Sequence, residues 1–527
     1  MSRAASARRR AALGRGVSRF GLIVWALGSA IGCHRAAPTP SAVTVAYPRG
    51  LVAAEPNRDI EEFSLSILGN VFEGLVDIDG NLALKPALAE SWSSPDDLSW
   101  IFRIRPGVLF HDGAVLTAED VVRSLEHLRA DRTQELSPTL AEVVEIRVDE
   151  PLIVRMRTRF PVPSLPYHLS ALLISKPGAD PAHPVGTGPY RLASWTPGGD
   201  TVLEAFTGHW AGPPRVAVLR FRTLSDAAAR VAALRRGEVD LAVDVPAGEM
   251  PALGAEPGLR TLSARGLRVI FLGLVSAGSA AAPDAARRPL SDPNVRRAVA
   301  LAIDRDRLAR SALGGQAEVV DQILAPEVFG YSSDLPRIPH DPDEARRLLR
   351  DAGYGAGFDL TLDFAAERYR AMDAVSRLLS EDLAAVGVRV TPRPSATDPF
   401  FARLERRDSE LFLLGWMSSG DAPLTYDYLL HRREAGQGSN NYTGVDDPEF
   451  DRLIEAAELE PSTARRGARL RDLAERVQRS MPFVPLYRQF DLYALRSGLA
   501  FTPRPDRRIR GIELTWTDAR AVAAGAR

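Results

Sequence analysis

The stretch Pro86–Val122, PALAESWSSPDDLSWIFRIRPGVLFHDGAVLTAEDVV, carries strands, a tight turn and a capped helix in close succession. Trp100, Phe102 and Ile104 alternate with Ile101, Arg103 and Arg105, the period of a half-buried strand. Pro106-Gly107 breaks that strand, and Val108–Phe110 predicts a second. His111-Asp112-Gly113 is a turn signal, because glycine takes positive φ without steric penalty. Thr117 stands three residues before Asp120, close to a capping box. Val121, Val122, Leu125 and Leu128 follow at helical spacing. The residues by themselves define a β-β-α unit.

The same stretch resembles a known family. Leu88-Ala89-Glu90-Ser91-Trp92, Phe102 to Gly107, Phe110 to Gly113 and Thr117-Ala118-Glu119-Asp120-Val121 are ordered and spaced as in the bacterial extracellular solute-binding proteins of family 5. These are the peptide- and nickel-type receptors of ABC importers. Asn70-Val71-Phe72-Glu73-Gly74-Leu75 and Pro184-Val185-Gly186-Thr187-Gly188-Pro189-Tyr190 resemble further family segments, and the likeness runs over nearly all of residues 43–515. It implies an α/β fold of two lobes, the class II "venus flytrap", with an extra β-rich subdomain in lobe one.

The amino terminus reads as a targeting segment. Arg8-Arg9-Arg10, Arg15 and Arg19 precede an apolar run, Phe20–Ile31, that is shorter than the ~20 residues a membrane-spanning helix needs. Ala30-Ile31-Gly32-Cys33 resembles a lipobox, which implies lipid attachment at Cys33. Cys33 is also the only cysteine, so no internal disulfide and no multi-cysteine zinc site can form. Without residues 1–32 the chain holds 60 basic and 67 acidic residues, a formal net charge of −7. That balance argues against a nucleic-acid partner.

The expected organisation is a signal peptide and lipobox over 1–33, then a Pro/Ala tether over 34–43. Lobe one covers 44–272, with the subdomain at about 76–185. Lobe two covers 273–487, and 488–527 returns to lobe one. Up to about 185 the pattern is strand-rich; Val144–Val148 and Leu152–Met156 alternate around an Asp149-Glu150-Pro151 turn. Beyond about 215 helices and strands alternate, as in βαβ architecture. Predicted helices include Asp59–Val71, Asp226–Arg236, Asp292–Leu313, Asp341–Ala352, Tyr369–Val386 and Asp398–Arg407. Predicted strands include Val43–Ala46, Phe358–Phe364, Leu411–Trp416 and Phe483–Tyr487. By resemblance, the chain crosses between lobes near Phe271–Val275 and again near Pro485–Asp491.

HExxH, GxSxG, SxxK, Walker and GxGxxG motifs are absent, and no two histidines have metal-ligand spacing on one helix. The reading is therefore a non-enzyme with neither cofactor nor metal. His111 reads as structural, and the acid pairs Asp96-Asp97 and Glu61-Glu62 read as solvated faces or caps. The strongest ligand candidate is Leu413–Asp421, an apolar strand opening at Trp416 into a polar, glycine-containing loop. Gly415, Trp416, Ser419, Gly420 and Asp421 are its site residues, since ligands gather at the carboxyl ends of strands. The resemblance implies an Asp three positions after this Trp, pairing with a peptide's α-amino group. Here that position is Ser419, so either Asp421 takes the role or the ligand carries no free amine. Arg368 and Arg370, after a strand, are candidates for a ligand carboxylate. The loop Arg49–Glu55 is expected to face the cleft.

The resemblance thus implies a monomeric, lipid-anchored receptor outside the cytoplasmic membrane. Its expected partners are a peptide or small polar solute, an ABC permease and its ATPase. An amine-free ligand such as a sugar or metal chelate, and a sensor or peptide-chaperone role without transport, are the alternatives.

Overall fold

The computed structural model describes residues 41–59, 61–180, 183–277, 288–418, 420–434 and 436–517. Cys33, the targeting segment and Ser419 lie outside the described residues.

The opening stretch folds as its pattern requires, with one exception. Ala89–Asp96 and Ser99–Ile104 pair antiparallel, and Ser99–Ile104 also pairs with Ile153–Thr158, which pairs with Val143–Glu150. Phe102 and Ile104 are fully buried. The expected strand Val108–Phe110 does not form; Leu109 makes only an isolated bridge to Val115. Pro106-Gly107 turns the chain away, and Gly113 (φ +88°) turns it back before the helix Ala118–Ala130. That helix starts with a full capping box: Asp120 N donates to Thr117 Oγ1 at 3.2 Å, and Thr117 N to Asp120 Oδ2 at 3.0 Å. His111 is a clasp. Gly186 N donates to its Nδ1 at 3.3 Å, and its Nε2 meets Gly188 O at 3.0 Å. Burial pushes this imidazole down to about 4, so it is neutral at ordinary pH.

The main sheet is continuous through the molecule. Its order is Val388–Ser395, Phe358–Ala365, Leu411–Met417, Leu259–Leu274, Phe483–Arg496, Leu241–Val243, Ala42–Tyr47, Val218–Thr223, Thr201–Ala205 and Tyr190–Trp195, with Ala317–Val319 also pairing with Phe483–Arg496. Two long strands carry it from one lobe to the other. Outgoing Leu259–Leu274 pairs through Leu259–Arg265 with Phe490–Arg496, beside the strands of lobe one. From Arg268 on it pairs with Met417–Leu411 of lobe two. Between Arg265 and Val269 the register slips, a bulge that re-aims the strand.

The hydrophobic core falls into separate clusters. One holds Val43, Val45, Leu219 and Leu495, and another Phe102, Val121 and Val154. Ile270, Leu272 and Leu274 face a further cluster on one side of the long strand, and Val269 and Phe271 another on its other side. A sheet buried on both faces reads as a continuous apolar run, as these residues do.

Two expected elements change. The helix Asp292–Leu313 is Pro293–Ala302, followed by separate turns at Arg305–Arg307 and Leu308–Ala312. Asp304 accepts from Arg307 N at 2.8 Å and so starts a new turn, a local competition with the longer helix. The strand Phe483–Tyr487 continues to Arg496. Its buried Arg488 is paired, meeting Glu318 at 2.7 Å and Glu327 at 2.8 Å. Among the described residues, no helix is long and apolar enough to cross a membrane.

Candidate functional site

The strand Leu411–Met417 delivers the candidate loop to the edge between the lobes. Gly415 is required by its neighbours: a Cβ there would lie 2.8 Å from both Tyr369 and Ile270, and Tyr369 OH donates to Gly415 O at 3.3 Å. The half-buried Trp416 packs against Tyr428 with ring centroids 5.7 Å apart. Thr425 Oγ1 donates to Ser418 Oγ at 2.9 Å, tying the loop to the helix Ala422–Leu430. Gly420 sits at φ +107°, where a side chain would be strained and would meet the Tyr167 ring.

Asp421 is the odd member. It is 3 % exposed and precedes the helix Ala422–Leu430 without capping it. Its Oδ1 is buried with no hydrogen-bond partner. Its Oδ2 lies 3.7 Å from His168 Nε2, which is also buried and without a hydrogen bond. Tyr167 and His168 belong to the helix Leu165–Ala171 of the subdomain, so the two lobes meet here. Ile78 and Leu82 of the subdomain likewise pack into the lobe-two cluster around Phe271 and Tyr426. The surroundings are acidic. Burial, with Asp427 and Asp421 nearby, pushes Glu458 up to about 8. Burial raises Asp427 to about 6 against the pull of His431. This region disfavours negative charge and suits a cation.

Arg368 and Arg370 part company. Arg368 is exposed, donates only to Tyr369 OH at 3.1 Å, and lies over the rings of Tyr369 and Phe401, 5.7 and 5.1 Å from their centroids. Arg370 turns inward and donates to Phe490 O. Burial lowers its pKa, while Asp491 and Asp244 oppose the shift. It therefore joins a charge network that the sequence reading missed. At its centre Arg507 reaches Asp244 at 2.5 Å, Glu62 at 3.1 Å and Asp491 at 3.2 Å. Arg268 adds a contact to Glu62 at 3.3 Å. Burial pushes Asp491 up to about 6 despite Arg507. Glu62 is thus no solvated face: its side chain is 12 % exposed and doubly paired. The expectation for Asp96-Asp97 fares better, since Asp96 accepts from Leu98 N at 2.9 Å in an exposed turn. The loop Arg49–Glu55 packs on Gly198-Gly199, where Gly198 N donates to Leu51 O at 2.8 Å. Glu55, His127 and Asp131 bring ligand-type atoms within 4.8 Å of one another, but Arg58 and Gln134 already contact these carboxylates.

No residue spacing announced Tyr167, His168 or Arg507. Each is brought in from a distant part of the chain by the lobe arrangement.

Two lobes joined by paired crossing strands, with a loop at their junction, are the architecture of a two-lobed solute-binding protein. The chain belongs to the bacterial extracellular solute-binding proteins, family 5, whose family model matches residues 83–437. It is similar to the glutathione-binding protein GsiB of Salmonella typhimurium, 24 % identical over 84 % of this chain and 88 % of that one. The GsiB of Escherichia coli O1:K1 / APEC is 26 % identical over 77 % of this chain and 80 % of its own length. Among solved structures, the substrate-binding protein CtaP of Listeria monocytogenes superposes with a TM-score of 0.81 at 19 % identity, covering 91 % of this chain and all of that one. DppA of Helicobacter pylori, in complex with the peptide STSA, gives 0.74 at 21 % identity, covering 90 % and 98 %. NikZ of Campylobacter jejuni, in complex with Ni(L-His), gives 0.76 at 19 % identity, covering 90 % and 99 %.

Proposed function

We propose that this chain is the extracytoplasmic receptor of an ABC importer and captures a peptide or similar cationic solute between its lobes. The observation that carries this reading is Asp421. A carboxylate buried at a lobe junction with an unpartnered oxygen is costly unless a counter-charge arrives, and a ligand ammonium supplies one. Trp416 and Gly420 would shape the pocket beside it. The residue at position 419 is a serine, whose hydroxyl accepts a hydrogen bond but carries no charge. Arg368 is the better partner for a ligand carboxylate, because Arg370 is engaged within the protein. Two of the named proteins support the peptide reading, through glutathione and the peptide STSA, while NikZ holds Ni(L-His) and supports the metal-chelate alternative.

The mechanism is binding, not catalysis. The lobes would rotate about the bulge near Gly266, where a Cβ would lie 2.5 Å from Asp491 Oδ2. Closure is favoured only by as much as the ligand prefers the closed state, and the permease would read that state. A lipid at Cys33 would hold this monomer at the membrane. Cys33→Ser should then move the protein to the soluble fraction; continued membrane fractionation excludes the anchor.

His168 favours one second reading. Protonated, it would itself answer Asp421 from 3.7 Å, and the ligand would need no amine. Native mass spectrometry of the chain from residue 34, with denaturing release of co-purified molecules, separates the two. A ladder of peptide masses supports the first reading. A single amine-free mass supports the second, and a protein that binds no small solute at all removes both.

A further inference from the structure

A cavity of about 320 Å³ lies within lobe one, between the end of the helix Glu62–Leu68, the hairpin Val76–Ile78 and Leu84–Pro86, and the carboxyl-terminal segment. No residue of lobe two lines it, so it is a different place from the cleft. Its charged lining is Glu73, Asp77, Lys85, Arg508 and Arg510.

Both acids are already committed. Glu73 accepts from Thr187 Oγ1 at 2.8 Å and Trp210 Nε1 at 3.0 Å, and meets His209 at 3.2 Å. Asp77 is gripped by both terminal nitrogens of Arg510, by Lys85 at 3.2 Å and by Ile78 N at 2.8 Å. Against burial, which would raise it, these partners hold Asp77 down at about 2.

The cations are not all used. The nearest carboxylate oxygen to Arg508 Nε is Asp506 Oδ2 at 4.0 Å, and Arg504 already takes both oxygens of that group at 2.7 and 2.9 Å. Among the described residues no hydrogen bond from the Arg508 side chain is seen, and Asp506 at 4.0 Å is its ion-pair partner; the side chain is 16 % exposed. Arg510 Nε is buried without a partner. Burial, reinforced by Arg510, lowers the Arg508 pKa. A guanidinium withdrawn from water without an anion is costly, and its planar fork matches a carboxylate or phosphate. Trp210, Phe72, Pro86 and Pro189 supply apolar wall, and Arg105 lies over Trp210 at 4.1 Å. The volume suits a small molecule.

We propose that this cavity is a second binding site, held by lobe one alone, for a small solute with an oxyanion group, phosphate or carboxylate, seated on Arg508 beside Arg510 and Lys85. Because lobe two contributes nothing, occupancy would neither need closure nor depend on the cleft ligand.

The test uses the purified full chain, titrated with inorganic phosphate and separately with succinate at constant ionic strength, read by ³¹P and ¹H line broadening and by thermal shift. At least one probe should bind and raise the melting temperature; which one does distinguishes a phosphate from a carboxylate site. Arg508→Met should weaken it about tenfold or more, as loss of a charge-assisted pair does. Arg508→Lys should keep part of the affinity, and Arg103→Met, on an exposed strand position, should change nothing. If Arg508→Met does not fold, Lys85→Met reads the same cavity from its other wall. Binding of neither probe overturns the proposal. So does unchanged affinity in Arg508→Met or, where that variant is unfolded, in Lys85→Met. Loss of phosphate or succinate binding in Arg368→Met, the exposed arginine of the cleft, would put the anion in the cleft and overturn it too. Arg368→Met binding the probe as wild type does would support it, whatever the cleft ligand proves to be.

Discussion

Two buried charges in this molecule have opposite fates. Arg507 sits among Glu62, Asp244 and Asp491, a cation supplied with three carboxylates by its own chain. Asp421 sits among other acids with one unpartnered oxygen and a histidine at 3.7 Å. Both occur where the lobes approach. The first is matched in charge, although Asp491 Oδ2 and Arg507 Nε lack hydrogen-bond partners, and its pairs cross-link lobe one to the crossing strands through Asp491. The second is incomplete, and only something from outside, or a protonated His168, completes it. A buried charge neutralised by its own chain acts as a structural joint, and one left without a counter-charge is where the proposed ligand would add most.

The sharpest way to break that contrast is to empty the complete site. Arg507→Met leaves three acids without their cation. Breaking a buried ion network from one side costs about 3–5 kcal/mol, and urea denaturation should show a loss of that size. A loss under about 1 kcal/mol would mean that the network is wet and that Arg507 is no joint.

Asp421→Asn is the mirror experiment. It removes a charge that the protein does not pair, so stability should hold or rise. Affinity for an amine-bearing peptide should instead fall by about 2–3 kcal/mol, the worth of a charge-assisted hydrogen bond, measured by calorimetry. Equal affinity in the two proteins would exclude Asp421 as the amine partner and favour the amine-free reading.

The two sites also differ in how far the sequence announced them. The place of Asp421 in the fold was legible, because the strand Leu411–Met417 ends in a glycine-containing polar loop, and its ligand role rests on the rule that strand ends gather ligands. The helix ends were legible for local reasons: Gly237 (φ +74°) closes Ala227–Arg236, and Asp341 caps Pro342–Asp351. Arg507 was not, since its partners lie 16 to 445 positions away along the chain. The crossing strand Phe483–Arg496 was cut short in the reading for the same cause. Arg488 and Asp491 look like a strand's end, yet both are buried by partners from elsewhere. Period and turn chemistry are local, whereas the neutralisation of a buried charge is set by tertiary contacts.

Acidity should sharpen the contrast with smaller effects. Glu458 near 8, and Asp427 and Asp491 near 6, all lie above their ordinary values because burial disfavours the anion. In the window between ordinary and raised values the folded state holds more protons than the unfolded one. Stability therefore rises as pH falls from about 8 towards 4. His111, held near 4 by burial, and Asp77, held near 2 by Arg510 and Lys85, act oppositely: His111 takes back part of the gain between about 6.5 and 4, and the Asp77 contribution is lost below about 4. The melting temperature should accordingly pass through a maximum in mild acid. Glu458→Gln should flatten the upper part of the rise. A melting temperature that climbs steadily from pH 5 to 8 would contradict these shifts.

The smallest effect separates the two arginines that the sequence set side by side. Arg370 donates to Phe490 O and faces Asp244 and Asp491, so it belongs to the complete site. Arg368 touches only aromatic rings and one hydroxyl, so it belongs to the open one. Arg370→Ala should destabilise the fold, because the Phe490 carbonyl loses its donor and Asp491 and Asp244 lose a nearby cation. Arg368→Ala should cost the fold only about 0.5–1 kcal/mol, the worth of an exposed cation–π contact. Its larger consequence should be weaker binding of a ligand with a free carboxylate, with no change for the same peptide amidated at its carboxyl end. If the amidated and free peptides lose affinity equally, Arg368 contributes wall and not charge. The ligand's carboxylate must then find its cation elsewhere in the cleft.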